Sequence, residues 1–247
     1  MLLLSAPGRI AHAAETDGAD SAPAAAPKPQ SHSGWFNQKV SLLYKNADGD
    51  IVNELPLSHA EEGGASRATV RDVVGEMSAN GRFAYTFDKT VVWNGSKTKV
   101  LEVKRMLRVY GSDGKLLWES PHADAPEGQA PLLFSADGEI ALVLLHKDKT
   151  WTASVRDYLG ATLMEAGPLA KIEAATLTPN GRYAMVRWLV LDQAATHTFL
   201  DIKNKVRKDV ASGDLYLGAG SINEDGKVFS AKKLVFDFNA PAPEKKP

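Results

Sequence analysis

The sequence predicts an all-β fold, a β-propeller-like array of about four to five four-stranded antiparallel sheets. A turn motif with glycine recurs at steps of 57, 43 and 45 residues, and a second strand–turn–strand unit lies between its copies. Helical periodicity is almost absent. A four-stranded repeat of about 40–45 residues is typical of a propeller blade, so we expect a small or incomplete ring of blades.

The first 34 residues are predicted to form a signal-like, Ala/Pro-rich leader. Leu2–Leu4 is apolar, and Ala11-His12-Ala13 has the small-residue pattern of a secretory cleavage site. No basic residues precede the apolar run, so the export signal is incomplete as given, and an ordinary disordered tail is the alternative. From Glu15 onward the segment is too poor in apolar residues to offset its ordering entropy. We expect a bacterial protein that is periplasmic or secreted.

The folded domain is predicted over residues 35–239, and a disordered tail over 240–247. A formal net charge of −1 argues against a dedicated nucleic-acid-binding protein, which usually has a strongly basic domain. The absence of cysteine excludes disulfides and thiolate metal sites, and no stretch has the roughly 18 apolar residues of a transmembrane helix. The expected partner is another envelope protein or a second copy of this chain.

The first repeated unit is a tight turn between two apolar runs. Each copy has glycine directly after Asn or Asp, and the four glycines are Gly81, Gly138, Gly181 and Gly226. These dipeptides favour hairpins because the turn needs positive φ. The strand after such a turn is apolar at every position in Ile140–Leu145, which indicates a strand covered on both faces. We therefore expect each blade to be packed between two others.

The second repeated unit carries more charge, as expected for strands near the rim. Its copies lie at about 40–52, 107–118, 153–163 and 196–206. The amino end supplies only a second hairpin, at 40–54, and the carboxyl end supplies a first hairpin and a strand at 233–238. These pieces could form one composite blade that closes the ring. The alternative is an open stack completed by a partner.

The motif at 178–184, Thr-Pro-Asn-Gly-Arg-Tyr-Ala, resembles the Ser-Pro-Asp-Gly-Lys-Tyr-Leu-Ala core of bacterial WD-repeat-like propellers, including envelope proteins of the TolB type. The likeness covers about residues 39–238. The repeats are degenerate, since no Gly-His opens a blade and no Trp-Asp closes one. The resemblance implies a propeller and suggests a scaffold that binds another protein, although a fold does not fix a function.

No strong catalytic, cofactor-binding or metal-binding signature occurs in the sequence. The six histidines lack ligand-like spacing, and we expect neither enzymatic activity nor a cofactor. A small-ligand or enzymatic propeller would need polar residues that converge on a central funnel, and its candidates are Asp88, Arg187 and Asp192. Four tryptophans are expected to fill the space between blades: Trp93, Trp118, Trp151 and Trp188.

Two long stretches are predicted to be loops that recognise a partner. Residues 58–69 are polar and rich in glycine, and residues 120–131 contain three prolines. Loops of this length in a compact domain are usually functional or disordered. The candidate protein-binding residues are His59, Glu61, Glu62, Arg67, His122, Asp124 and Glu127. The leading expectation is a non-enzymatic envelope scaffold, and the alternative is a structural subunit completed by another chain in an oligomer.

Overall fold

The computed structural model describes residues 33–189, 195–211, 221–230 and 233–240, and within them the regular structure is β-strand, with no helix. The predicted leader up to residue 32, Asp192 and the tail from residue 241 lie outside the described residues. Five antiparallel sheets, which we name A to E, follow one another along the chain. In this part of the chain no helix is long and apolar enough to cross a membrane.

The sheets contain nineteen strands in chain order. Sheet A has β1 (Gly34–Gln38), β2 (Ser41–Lys45) and β3 (Ile51–Pro56); sheet B has β4 (Ser58–Gly63), β5 (Arg67–Met77), β6 (Ala84–Asn94), β7 (Val100–Tyr110) and β8 (Leu116–Ser120); sheet C has β9 (Leu132–Phe134), β10 (Ile140–Lys147), β11 (Thr150–Asp157) and β12 (Thr162–Leu169); sheet D has β13 (Lys171–Leu177), β14 (Tyr183–Leu189), β15 (Thr196–Asp201) and β16 (Val206–Ala211); sheet E has β17 (Ser221–Ile222), β18 (Lys227–Ser230) and β19 (Lys233–Asp237).

Both repeated units form the hairpins that the sequence predicts. The Asn/Asp-Gly turn joins the first two strands of each unit in sheets B to E, and the more charged unit forms β2–β3, β7–β8, β11–β12 and β15–β16. Sheets C and D, and β5–β8 of sheet B, have four strands in simple sequential order. The predicted all-β, propeller-like array is therefore confirmed.

The four turn glycines have equivalent surroundings. Their φ angles lie between 66° and 75°, and three of them pack on the residue two positions after the preceding turn glycine. A Cβ would collide with Phe83 at Gly138, would lie 3.0 Å from Ile140 at Gly181, and would lie 2.5 Å from Tyr183 at Gly226. Only glycine fits such a position without strain. Each sheet is thus fixed to the sheet before it by the same contact.

The array has incomplete sheets at both ends. Gly34 pairs with Lys45 one residue before the turn, as Ala84 pairs with Tyr110, so β1 occupies the position of a second strand. Sheet A therefore lacks a first strand, and the described part of sheet E ends at a third strand. No strand pairing joins sheet A to sheet E among the described residues. The composite blade is not formed, because β1 gives the amino end a sheet of its own.

The prediction of a loop at 58–69 is wrong. β4 pairs with β5 from Ser58 opposite Val73 to Gly63 opposite Ala68, and the chain turns at 64–66. All six residues of β4 are exposed, so the strand has no apolar alternation by which the sequence could reveal it. Residues 121–131 form a loop, as predicted.

Candidate interaction surface

Three strands of sheet B are longer than the strands of the neighbouring sheet. β5, β6 and β7 have 11 residues each, whereas the longest strands of sheet C have eight. The added length comprises residues 67–73, 88–94 and 100–106, and β4 pairs with it at one side. We call these three segments together with β4 the sheet B extension.

One face of the extension carries an apolar patch. Strand pairing places Val70, Val91 and Val103 in one row across the sheet, and Ala68, Trp93 and Val100 in the next row. Directly opposite residues share a face of the sheet. Ala68 is buried, Val100 is 42% exposed, and the rest are partly exposed. The apolar patch consists of Val70, Val91, Trp93, Val100 and Val103.

The tip of the extension is held by contact between its two hairpins. The N–H of Gly95 donates to the carbonyl oxygen of Ser66 at 3.0 Å, and a Cβ at position 95 would collide with the carbonyl of Ala65. The side-chain oxygen of Asn94 accepts a hydrogen bond from the N–H of Thr98 at 2.8 Å. These contacts fix the far end of the patch.

The base of the patch is held by a buried carboxylate. Asp124 is 6% exposed and accepts hydrogen bonds from Lys89 Nζ at 3.0 Å and from Arg105 Nη2 at 2.9 Å, and His146 Nδ1 lies 3.4 Å away. The N–H of Ala125 adds a bond at 3.0 Å. Lys89 and Arg105 lie directly opposite each other on β6 and β7. Asp124 thus anchors the loop to the sheet and does not face solvent, which corrects its expected role as an exposed recognition residue.

Two of the predicted recognition residues lie beside the patch. His59 and Glu61 belong to the patch face, because they stand opposite Asp72 and Val70. His59 Nδ1 is 2.6 Å from Asp72 Oδ1, and Glu61 accepts a hydrogen bond from Lys97 at 3.1 Å. The hydrogen bond from Asp72, then its charge, and the more distant charge of Glu61 raise the pKa of His59. Polar groups therefore border the patch.

The remaining predicted recognition residues lie elsewhere. Side chains alternate between the two faces of a strand, so Glu62 and Arg67 belong to the face opposite the patch. His122 and Glu127 are exposed on the 121–131 loop. A role in protein binding stays a prediction for each of them.

The expected place of Trp93 between blades is corrected by the strand register. Trp118 does bridge two sheets: its Nε1 donates to the carbonyl of Tyr158 at 3.2 Å, and it covers Gly160. Trp93 lies on the extension, outside these stacking contacts. The signal for this difference is the step of 57 residues between Gly81 and Gly138, which leaves sheet B about a dozen residues longer than a regular blade.

The residues proposed for a central funnel do not converge. Asp88 receives two hydrogen bonds from Arg71, at 3.1 and 2.6 Å. Arg187, in sheet D, lies 3.4 Å from Glu173. Each is thus occupied by a neighbour in its own sheet, and the third candidate lies outside the described residues. No cluster of three or more potential metal ligands occurs in the described ranges.

A groove of about 440 Å³ runs along the first strands of sheets B, C and D. Met77, Phe134 and Leu177 contribute apolar surface to it, and Glu76 contributes a carboxylate. Asp88 and Arg187 do not line this groove. It offers a shape for binding but no arrangement of acid, base and nucleophile.

No family model matches the chain, and no curated protein matches it. Solved structures that resemble it include the β-propeller domain of the Trilobed protease from Pyrococcus furiosus (11% identity, TM-score 0.38, 70% of this chain and 47% of that chain). TolB from Acinetobacter baumannii (10%, 0.31, 70% and 59%) and the Dos1 propeller (9%, 0.34, 81% and 65%) are also similar. The chain spans about half to two thirds of the length of these structures. The fold assignment rests on the sheet order and the repeated glycine contacts described above.

Proposed function

We propose that this protein is a non-enzymatic scaffold that binds another protein through the apolar patch of the sheet B extension. One observation carries the proposal: five partly exposed apolar side chains, with Trp93 among them, lie together on one sheet face. Contiguous exposed apolar surface on a folded chain marks interaction sites. Tryptophan is enriched among the residues that contribute most to protein–protein affinity.

The surroundings of the patch suit binding without chemistry. The hairpin contact at Gly95 and the ion pairs of Asp124 hold the strands at both ends of the patch. A surface ordered before binding loses less conformational entropy on association. His59, Glu61 and Lys97 add a polar rim around an apolar centre, which is the usual anatomy of an interface.

The proposed setting of this interaction is the bacterial cell envelope. The apolar Leu2–Leu4 followed by Ala11-His12-Ala13 supports export, because it matches the small-residue pattern of a cleavage site. Fractionation of cells that express the full chain tests this setting. Recovery of the chain in the cytoplasm alone would contradict it.

Site-specific crosslinking tests the scaffold proposal. A photoreactive amino acid at Val91 should capture a partner in living cells, and the purified partner should bind the intact protein in calorimetry. Trp93→Ala should weaken that binding at least tenfold, because truncation of an interface tryptophan commonly costs about 2 kcal/mol or more. Val100→Lys should act in the same direction, since Val100 is already 42% exposed and tolerates a polar replacement.

The matched control is Val206→Lys. Val206 is 45% exposed on β16, an edge strand of sheet D, so it resembles Val100 in exposure and lies outside the patch. Its affinity for the partner should equal that of the unmodified protein. Equal affinities for Val100→Lys and Val206→Lys, with both proteins folded, would remove the patch as the binding surface.

A second candidate function is that of a structural subunit completed by another copy. The incomplete sheets A and E expose apolar side chains, Phe36, Ile51 and Val52 at one end and Leu234 at the other. Light scattering over a range of concentrations tests it. A mass that rises with concentration and falls back in Ile51→Asp would support this function, and a monomer at every concentration would exclude it.

A further inference from the structure

We infer that the partner bound at the patch contributes a basic, extended segment that pairs with the free edge of β4 and becomes a sixth strand of sheet B. The inference rests on the proposed function and names the chemistry of its partner. Addition of a strand to an exposed sheet edge is a recurrent mode of peptide recognition, in which backbone hydrogen bonds supply affinity and alternate side chains supply specificity.

β4 is available as a pairing edge. In the order of sheet B, β5 is its one neighbour, and all six of its residues, Ser58 to Gly63, are exposed. An edge strand offers unpaired N–H and C=O groups along its outer side. Six residues match the length of an average strand, so a bound segment could form a regular ladder with β4.

The side-chain row that contains Gly63 has room for a large apolar residue of the added strand. Gly63 stands opposite Ala68, which stands opposite Trp93. A Cβ at Gly63 would meet nothing within 4 Å. A large side chain placed opposite an edge glycine can lie over it, here toward Trp93. The added strand would then extend the apolar patch across β4.

Charge on β4 specifies a basic segment. Glu61 lies on the patch face with 54% of its side chain exposed, and Glu62 is exposed on the opposite face. A strand with lysine or arginine at successive positions would therefore meet one carboxylate on each face. Opposite charges across a strand pair stabilise it, and like charges directly opposite destabilise it. Pairing with the β4 of a second copy would crowd four glutamates onto two short strands, which disfavours that occupant.

A synthetic peptide tests the inference on the intact protein. The probe is an acetylated and amidated hexapeptide that alternates lysine with valine and has one valine replaced by tryptophan, and a glutamate-for-lysine analogue is the counter-probe. The lysine peptide should bind in calorimetry and should slow hydrogen exchange of the β4 amides more than that of the β16 amides. Glu61→Lys/Glu62→Lys should weaken the lysine peptide at least tenfold and should favour the glutamate analogue.

Two further variants isolate charge and shape. Glu119→Lys reverses a 49% exposed glutamate on β8, the opposite edge strand of the same sheet, and should leave peptide affinity unchanged. Gly63→Val fills the space opposite the probe's tryptophan. It should weaken the tryptophan peptide several-fold more than a peptide with alanine at that position.

Several results would overturn the inference. These are no slowing of exchange in β4 with the lysine peptide, an equal loss of affinity in Glu119→Lys, or dimers joined through β4 in light scattering. A crosslinked partner whose affinity falls in Trp93→Ala but is unchanged in Glu61→Lys/Glu62→Lys would also refute strand addition. In that case the scaffold proposal would stand, so the two failures are distinguishable.

Discussion

Replacing Asp124 by asparagine keeps the shape of the side chain and removes the charge that holds the 121–131 loop to sheet B. Two cations then lose their counter-ion: Lys89, 30% exposed, at 3.0 Å and Arg105, 20% exposed, at 2.9 Å. At an effective dielectric constant of about 20, each pair has a gross attraction of about 5 kcal/mol. Removing one partner of a buried ion pair typically costs about 3–5 kcal/mol. Because both cations can regain some water, we expect the free energy of unfolding to fall by about 3 kcal/mol.

Urea denaturation, which does not screen charge, measures this loss. Arg105→Met should cost less than Asp124→Asn, since the carboxylate keeps Lys89 as a partner. In the double variant the two losses should not add, because the residues share one interaction. A loss below about 0.5 kcal/mol in Asp124→Asn, the level of an ordinary surface substitution, would refute the view that this carboxylate anchors the loop.

The turn glycines, a surface histidine and a buried tyrosine provide three further tests. Gly138→Ala and Gly128→Ala both force alanine into positive φ, 75° and 73°, but only a Cβ at Gly138 meets neighbouring atoms; denaturation should show a loss of about 1 kcal/mol for Gly128 and about 2 kcal/mol more for Gly138. Asp72 raises the pKa of His59, so the stabilisation from this pair is present while the histidine is protonated and is lost as pH rises through that pKa; NMR titration of Asp72→Asn should give a lower pKa for His59. Burial, and then a neighbouring carboxylate, raises the pKa of Tyr85, so an absorbance titration to pH 12 should ionise one tyrosine fewer in the folded protein than in urea.

The repeat was predictable because its signal is local. An Asn/Asp-Gly turn needs one dipeptide, and the same dipeptide recurs at Gly81, Gly138, Gly181 and Gly226. Its packing follows from the same residues, since a glycine without Cβ is what lets each turn approach the preceding sheet. The number of full sheets and the stacking order therefore follow from the period.

The candidate site was less predictable because it depends on strand pairing over long separations. β4 has no apolar alternation, so its polar composition indicated a loop until its register with β5 was known. Asp124 looks like any loop carboxylate in the sequence, and its burial depends on cations 35 and 19 positions away, Lys89 and Arg105. The face on which Trp93 lies is likewise fixed by its pairing and not by its neighbours in the chain.

The spacing of the repeats locates the site more directly than residue composition does. The steps from Gly138 to Gly181 and from Gly181 to Gly226 are 43 and 45 residues, whereas the step from Gly81 to Gly138 is 57. The structure places this excess in the longer β6 and β7 and in the 121–131 loop. Those additions form most of the apolar patch and supply the carboxylate that fixes its base. Because a regular blade needs none of these residues for stacking, the departure from the period separates the part of the chain that maintains the fold from the part that is available to bind.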